Sequence, residues 1–153
     1  MRERNPEMAF GVSGSGLEIV LRAAFPGCSA IRKDPTPPEM GQRFFGGSFG
    51  ERHGGSQSFI RALDFRTGSR VWEYPLLTGG FGGSGTLVTA GGLVFFGESG
   101  GTFTALDSKT GIPVWHFETG QDWRASPMTY MAGGRQYAVL AGQGGIFSFA
   151  LTQ

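Results

Sequence analysis

The feature that most constrains this chain is a repeat. The stretch "FIRALDFRTGSRVWEY" (59–74) returns as "TFTALDSKTGIPVWHF" (102–117), at an offset of 43 residues. Ala62, Leu63, Asp64, Thr67, Gly68, Val71 and Trp72 are matched by Ala105, Leu106, Asp107, Thr110, Gly111, Val114 and Trp115. A third, incomplete copy, "GGIFSFALTQ" (144–153), follows "GGTFTALDSK" at an offset of 44. The segments between match as well: "GTLVTAGGLVFFGESGG" (85–101) resembles "MTYMAGGRQYAVLAGQGG" (128–145). A period of this size means a stacked or radial array, in which each unit buries its faces against its neighbours.

One period contains four strand-like runs, at 86–90, 93–97, 102–107 and 113–118. Each is rich in Val, Phe, Thr or Trp and is bounded by Gly or a turn signal. Four strands per repeat predict a propeller blade. The expected fold class is therefore all-β, a partial β-propeller of about two and a half four-stranded blades. The blades fall near 41–76, 84–119 and 126–153. "GQRFFGG" (41–47) matches "GGLVFFG", which predicts the second strand of the first blade, followed by a Gly-rich loop over 48–55.

The region before the repeats, 1–40, reads as a short N-terminal helix and a linker. "RKDPTPPEMG" (32–41) carries three prolines and predicts extended chain. The helix is predicted over 16–25. Ser15 and Glu18 have capping-box spacing, Leu17, Val20, Leu21 and Ala24 share a helical face, and Pro26-Gly27 would end it.

Composition agrees with short strands and tight turns: 28 glycines and 14 phenylalanines in 153 residues. Charged residues make up 16% and the net charge is +1, so there is no basic surface for nucleic acid and no acidic tail. The lone Cys28 excludes a disulfide within the chain. No apolar run is long enough for a spanning helix. The N-terminus has a basic start, but Glu18 and Arg22 interrupt its apolar part, so it does not read as a signal peptide. "GVSGSGLEIVLR" lacks a preceding strand and a following Lys-Ser/Thr pair, so it does not read as a phosphate-binding loop.

Within the repeated motif, Asp107 ends a strand and Thr110-Gly111 forms the following turn. A carboxylate at that point accepts hydrogen bonds from the backbone N–H groups of the turn, and Gly111 supplies a positive φ. An indole from a neighbouring blade is expected over the small Ala105. Trp115, in the outermost strand, is expected to cover the seam between blades, its N–H needing an acceptor if buried. Asp64 and Asp107 could instead be read as catalytic acids. Repetition argues against that, because a catalytic group is needed once and a staple is needed in every blade.

"ALDSKTGIPVW" with "ALDFRTGSRVW" resembles the tryptophan-docking motif of the pyrroloquinoline quinone (PQQ) dehydrogenases. "GTLVTAGGLVFFGESGGTFTALDSKTGIPVWHFETG", followed by "SPMTY" and "GRQYAV", is similar to the C-terminal end of that family; the resemblance covers about 43–153. It implies an eight-bladed propeller that oxidises an alcohol or a sugar in the periplasm. It also implies PQQ with calcium in a central funnel, hydride transfer to the quinone, and a membrane-associated electron acceptor. Eight blades need roughly 350 residues. The chain is thus expected to be a C-terminal part, inactive alone, with the catalytic Asp and the calcium ligands upstream. No catalytic or metal-ligating residue is assigned in it. Its expected partners are the missing blades or further copies of itself. The same repeat also builds non-catalytic assembly proteins, so the alternative is a scaffold for protein contacts.

In that family the cofactor face carries the loops between blades and the loops joining second and third strands. Here these are 78–85, 121–126, 48–55, 98–101 and 143–145. The resemblance makes Trp123 and Arg124 of "DWRASP", with Ser84, Gly85, Gly144 and Gly145, the candidate cofactor-binding residues. Arg124 suits a PQQ carboxylate, and Trp123 is expected on or beside the ring system. Two positions depart from the family pattern: Gly83 and Ile146 stand where tryptophans are common. His53 and His116 are isolated and read as surface or packing residues.

Overall fold

The computed structural model describes residues 8–12, 18–25, 28–53, 57–77 and 84–150, with side chains described over 32–48, 57–77 and 84–150. Every regular element there is a strand. In chain order these are β1 (Met8–Val12), β2 (Glu18–Phe25), β3 (Cys28–Lys33), β4 (Gly47–His53), β5 (Gln57–Asp64), β6 (Arg70–Pro75) and β7 (Thr86–Val88). Then follow β8 (Leu93–Gly97), β9 (Thr102–Asp107), β10 (Pro113–Glu118), β11 (Met128–Ala132), β12 (Arg135–Gly142) and β13 (Gly145–Ala150). The first sheet has the order β1-β2-β5-β6, the second β7-β8-β9-β10 and the third β11-β12-β13. β3 and β4 form a separate hairpin. Within the three sheets neighbouring strands are antiparallel, as in successive propeller blades.

The N-terminal region differs from expectation. The helix predicted over 16–25 is strand β2, which pairs with β5 from Glu18↔Asp64 to Phe25↔Gln57. Ser15 and Leu17, on which the helix reading leaned, lie outside the described residues. The sequence admits both readings, because Ile19, Leu21, Ala23 and Phe25 also alternate at the strand period. A run this short cannot separate the two periods, and eight ladder positions across β5 decide for strand. β2 thereby takes the place expected for 41–47, and β1 completes the first sheet. Residues 41–46 are turn and irregular chain, and part of the expected loop 48–55 is strand β4. The proline-rich run connects β3 to β4. The whole hairpin is an excursion between the second and third strands of the first sheet.

Burial follows position in the stack. β9 is buried at four consecutive positions, Phe103 to Leu106, because its sheet has a neighbour on each side. β5 buries alternate residues, Ser58, Ile60 and Ala62, which face the second sheet. β10, the outer strand, is exposed along its length. One apolar cluster joins the first and second sheets through Ile60, Ala62, Trp72, Leu76, Val94, Phe96 and Leu106. Another joins the second and third through Phe103, Trp123 and Leu140.

The repeated motif forms the predicted turn twice. Asp107 Oδ1 accepts from the N–H groups of Lys109 (3.1 Å) and Thr110 (2.9 Å) and from the Thr110 hydroxyl (2.8 Å). Asp64 Oδ1 accepts from Arg66 (2.9 Å), Thr67 (2.8 Å) and the Thr67 hydroxyl (3.1 Å). Gly68 and Gly111 have φ of +70° and +71°. Trp72 is buried over Gly111, and its Nε1–H donates to the Ser108 carbonyl at 2.9 Å. The small residue of the motif serves its own sheet: Trp72 lies across the ladder from Ala62, and Trp115 from Ala105. The indole expected over Ala105 from a neighbouring blade is thus its same-sheet partner.

Candidate functional site

The register places one set of loops at a common end of the sheets. β8 and β9 meet there at Gly97↔Phe103, and β12 and β13 at Gly142↔Gly145. The chain leaves β6 and β10 at the same end. The hairpin β3–β4 is also rooted there, since β2 ends and β5 begins at Phe25↔Gln57.

Ser84 and Gly85 open β7 at this end, and both are buried. The Ser84 hydroxyl accepts from the Gly97 N–H, and it stands 3.0 Å from the Gly85 carbonyl and 3.2 Å from that of Gly97. A Cβ on Gly85 would collide with the Ser126 side chain. These contacts join the loop before β7 to the loop before β11.

Trp123 is fully buried between the second and third sheets. Its ring meets Phe103 (centroids 6.1 Å apart) and the edge of Phe147 (5.2 Å), and its backbone bridges to Gly142. Glycine makes room for it. A Cβ on Gly97 would lie 2.6 Å from Trp123 Cβ and Cγ, and one on Gly142 3.1 Å from Cζ3. Trp123 Nε1 has no partner among the described residues. The side chain offers no open ring face for stacking.

Its neighbour behaves oppositely. The Arg124 side chain is 72% exposed and touches Asp122 Oδ2 at 3.4 Å, a solvent-screened pair that holds the guanidinium loosely. Gly144 lies in the loop before β13, where its N–H donates to Gln121 Oε1 at 2.9 Å. Gly145 starts β13, with no described atom within 4 Å of an added Cβ. The six candidates thus share one end of the stack. Ser84, Gly85 and Trp123 are buried in it, and Arg124, Gly144 and Gly145 face outward.

Sequence reasoning missed Glu98. This carboxylate is buried in the loop after β8. It accepts from the Thr104 hydroxyl at 3.2 Å and from the Leu77 N–H at 3.4 Å, tying the loop before β7 to the second sheet. Burial pushes the Tyr74 phenol above its ordinary value, and the nearby Glu98 adds to the shift. The available signal was an acidic residue directly after the apolar run "LVFFG". Among the described residues no three His, Cys, Asp or Glu side chains converge as a metal site would require.

Comparison with known proteins places this geometry. Residues 74–138 match the family model described as the glucose/ethanol/alcohol dehydrogenase β-propeller domain. The chain is 42% identical over 91 residues to the quinoprotein alcohol dehydrogenase PedE of Pseudomonas putida, covering 56% of this chain and 14% of that protein. It is 41% identical over 100 residues to the quinoprotein ethanol dehydrogenase of Pseudomonas putida, covering 62% and 15%. It is 42% identical over 94 residues to the lanthanide-dependent methanol dehydrogenase of Methylorubrum extorquens, covering 61% and 15%. The chain therefore spans about a seventh of the length of these relatives. Among solved structures, it resembles quinohemoprotein alcohol dehydrogenase ADHIIG of Pseudomonas putida HK5, with a TM-score of 0.72 and 23% identity over 91% of this chain and 22% of that one. The quinohemoprotein alcohol dehydrogenase of Comamonas testosteroni gives a TM-score of 0.71 at 23% identity, with the same coverage. The three sheets thus have the fold of successive β-propeller blades, and residues 74–138 are similar to the glucose/ethanol/alcohol dehydrogenase β-propeller domain.

Proposed function

We propose that this chain supplies C-terminal blades, and with them one wall of the cofactor funnel, to a PQQ-dependent dehydrogenase that oxidises an alcohol or a sugar. The observation that carries this is the convergence of the loops holding Ser84, Gly85, Trp123, Arg124, Gly144 and Gly145 at one end of blades homologous to quinoprotein alcohol dehydrogenases. Bound PQQ supplies the electron sink that accepts hydride from the substrate carbon; the protein orients and charges the site.

The residues fit such a role unequally. Arg124 presents a loosely held guanidinium, suited to a carboxylate of the cofactor. Trp123 fits as the wedge that holds the Arg124 loop rather than as a stacking surface, because its ring is enclosed by Phe103, Phe147, Gly97 and Gly142. Ser84, Gly85, Gly144 and Gly145 contribute close-packed backbone. In this reading the catalytic Asp and the metal ligands lie in blades outside these 153 residues. The working site is periplasmic, and the chain alone is inactive.

The test is a chimera. Residues 84–145 replace the matching segment of the quinoprotein ethanol dehydrogenase of Pseudomonas putida, and PQQ- and metal-dependent dye reduction is assayed with ethanol. Retained activity in the chimera, with none in the isolated chain, is the expected result. A folded chimera that binds no PQQ would point instead to a non-catalytic scaffold built on the same repeat.

A further inference from the structure

β6 is the end strand of the first sheet and β10 that of the second, and they occupy the same place one repeat apart. Their outer edges differ. In an antiparallel pair every second residue spends its N–H and C=O on the neighbouring strand, and the residues between turn theirs away. The Thr119 N–H donates to the Gly101 carbonyl at 3.0 Å, in the register that sets Phe117 opposite Phe103 and Trp115 opposite Ala105. Phe117 and Trp115 therefore bond to β9, and His116 and Glu118 turn their N–H and C=O groups outward. In the first sheet the Leu76 N–H donates to the Ser58 carbonyl at 2.9 Å. By the same alternation the outward residues of β6 are Glu73 and Pro75, opposite Arg61 and Phe59.

The edge of β6 is guarded. Pro75 has no N–H to give, and Glu73 is a carboxylate already held by Arg61 and Arg70. At the matching positions β10 has neither device: His116 stands for Glu73 and Glu118 for Pro75, so both N–H groups are present. Its proline, Pro113, and the bulge at Val114 lie at the start of the strand, ahead of the outward pair. β10 is exposed along its whole length. On one face it carries an aromatic row, in which Phe117 stacks on Trp115 (centroids 6.3 Å apart) and meets the edge of Phe149 (5.3 Å).

We infer that β10 is a pairing edge for a second copy of this chain, antiparallel and two-fold symmetric, with Phe117 on the axis. That register sets His116 opposite the partner's Glu118, and Glu118 opposite the partner's His116. Every outward N–H and C=O of this pair of residues is then used in both copies. The side chains agree with the backbone, because an imidazole donor faces a carboxylate acceptor at both places, and a pair of opposite polarity favours the ladder. On the other face the two Phe117 rings meet at a non-hydrogen-bonded position, where cross-strand side chains stand closest. The same register on β6 would set Glu73 against a proline and form no complete pair. Such an interface is isologous and closes at two copies. It stands apart from the dehydrogenase reading, because none of the cofactor candidates lies on β10.

The test is sedimentation of the full 153-residue chain over a range of concentrations. A monomer–dimer equilibrium is expected. His116→Glu, which sets carboxylate against carboxylate, should weaken the dimer about tenfold, and adding Glu118→Lys should restore it. In a Cys28→Ser background, Phe117→Cys should cross-link under mild oxidation. The two Cα atoms at the axis would lie about 4.5 Å apart, within the span of a disulfide. Val114→Cys, displaced along the strand, should not cross-link. A monomer at every concentration overturns the inference, as do a dimer indifferent to His116→Glu and equal cross-linking at the two cysteine positions. An open-ended series of oligomers overturns it as well, because that means pairing between two different edges.

Discussion

Trp72 donates its indole N–H to the carbonyl of Ser108 across the seam between the first and second sheets, 36 positions along the chain. Trp115, its equivalent one repeat later, is 39% exposed, against 8% for Trp72. The two tryptophans therefore carry different weight. Trp72→Ala should cost about 3–5 kcal/mol, the range for removing a buried aromatic. Trp72→Phe should cost about 1 kcal/mol or somewhat more through the lost hydrogen bond and volume. Trp115→Ala should cost clearly less than Trp72→Ala. Urea denaturation of the three variants checks this, and equal losses at the two tryptophans would refute the staple.

Trp123 fits because Gly97 has no side chain. Gly97→Ala drives a methyl group into the root of the indole, where neither side can yield easily. A loss of about 1–3 kcal/mol is expected for such overpacking. Gly145→Ala, in open space, should be close to neutral. Thermal melts of the pair separate close packing from a general cost of replacing glycine in strands.

Both turn carboxylates should shape the acid limb of stability. Hydrogen bonds from Thr67, the N–H foremost, hold the Asp64 carboxyl below its ordinary value, and bonds from Thr110, the hydroxyl foremost, do the same for Asp107. A carboxyl lowered in the folded state stabilises fully above its unfolded pKa. That contribution fades as pH falls through the lower folded value. The loss should therefore appear below about pH 4. The double variant Asp64→Asn/Asp107→Asn should show a flatter acid limb in denaturation measured across that range. An unchanged limb would place the acid sensitivity elsewhere.

Arg124 and Glu98 give opposite expectations. In the active chimera, Arg124→Gln should weaken PQQ binding about tenfold, the scale of a lost charge-assisted hydrogen bond. It should leave the melting temperature unchanged, because the residue is exposed. Glu98→Ala should destabilise by about 1–3 kcal/mol, since it strands the Thr104 hydroxyl and the Leu77 N–H. Spectrophotometric titration of Glu98→Gln should show the Tyr74 phenol moving down, yet staying above its ordinary value, because burial is the larger cause.

The repeat was legible because its physics is local. β8, β9 and β10 fall where alternation, Gly and turn residues put them, and Asp107 with Gly111 makes the turn that its chemistry dictates. The first two strands were not legible. Residues 18–25 satisfy both the helix and the strand period, and the choice rests on pairing with β5, more than thirty residues away in sequence. "RFFGG" resembles a strand of the next repeat, yet β2 had already taken that place in the sheet. At the candidate site, the loops could be placed from strand order, but the burial of Trp123 could not. It depends on Gly97 and Gly142 from two different sheets closing on one ring. Glu98 escaped for the same reason, since its partners come from the loop before β7 and from β9.

The hairpin β3–β4 leaves the first sheet after Phe25 and returns at Gln57, and these two residues face one another across the ladder. The blade therefore senses that detour only as a closed doorway. Whatever lies between can lengthen, shorten or be exchanged for another module, and the register of β2 against β5 stays the same. Variation there costs the propeller little and changes what stands over its loop-bearing end, so diversification among related chains, or an engineered insertion, has its most permissive entry point at that doorway.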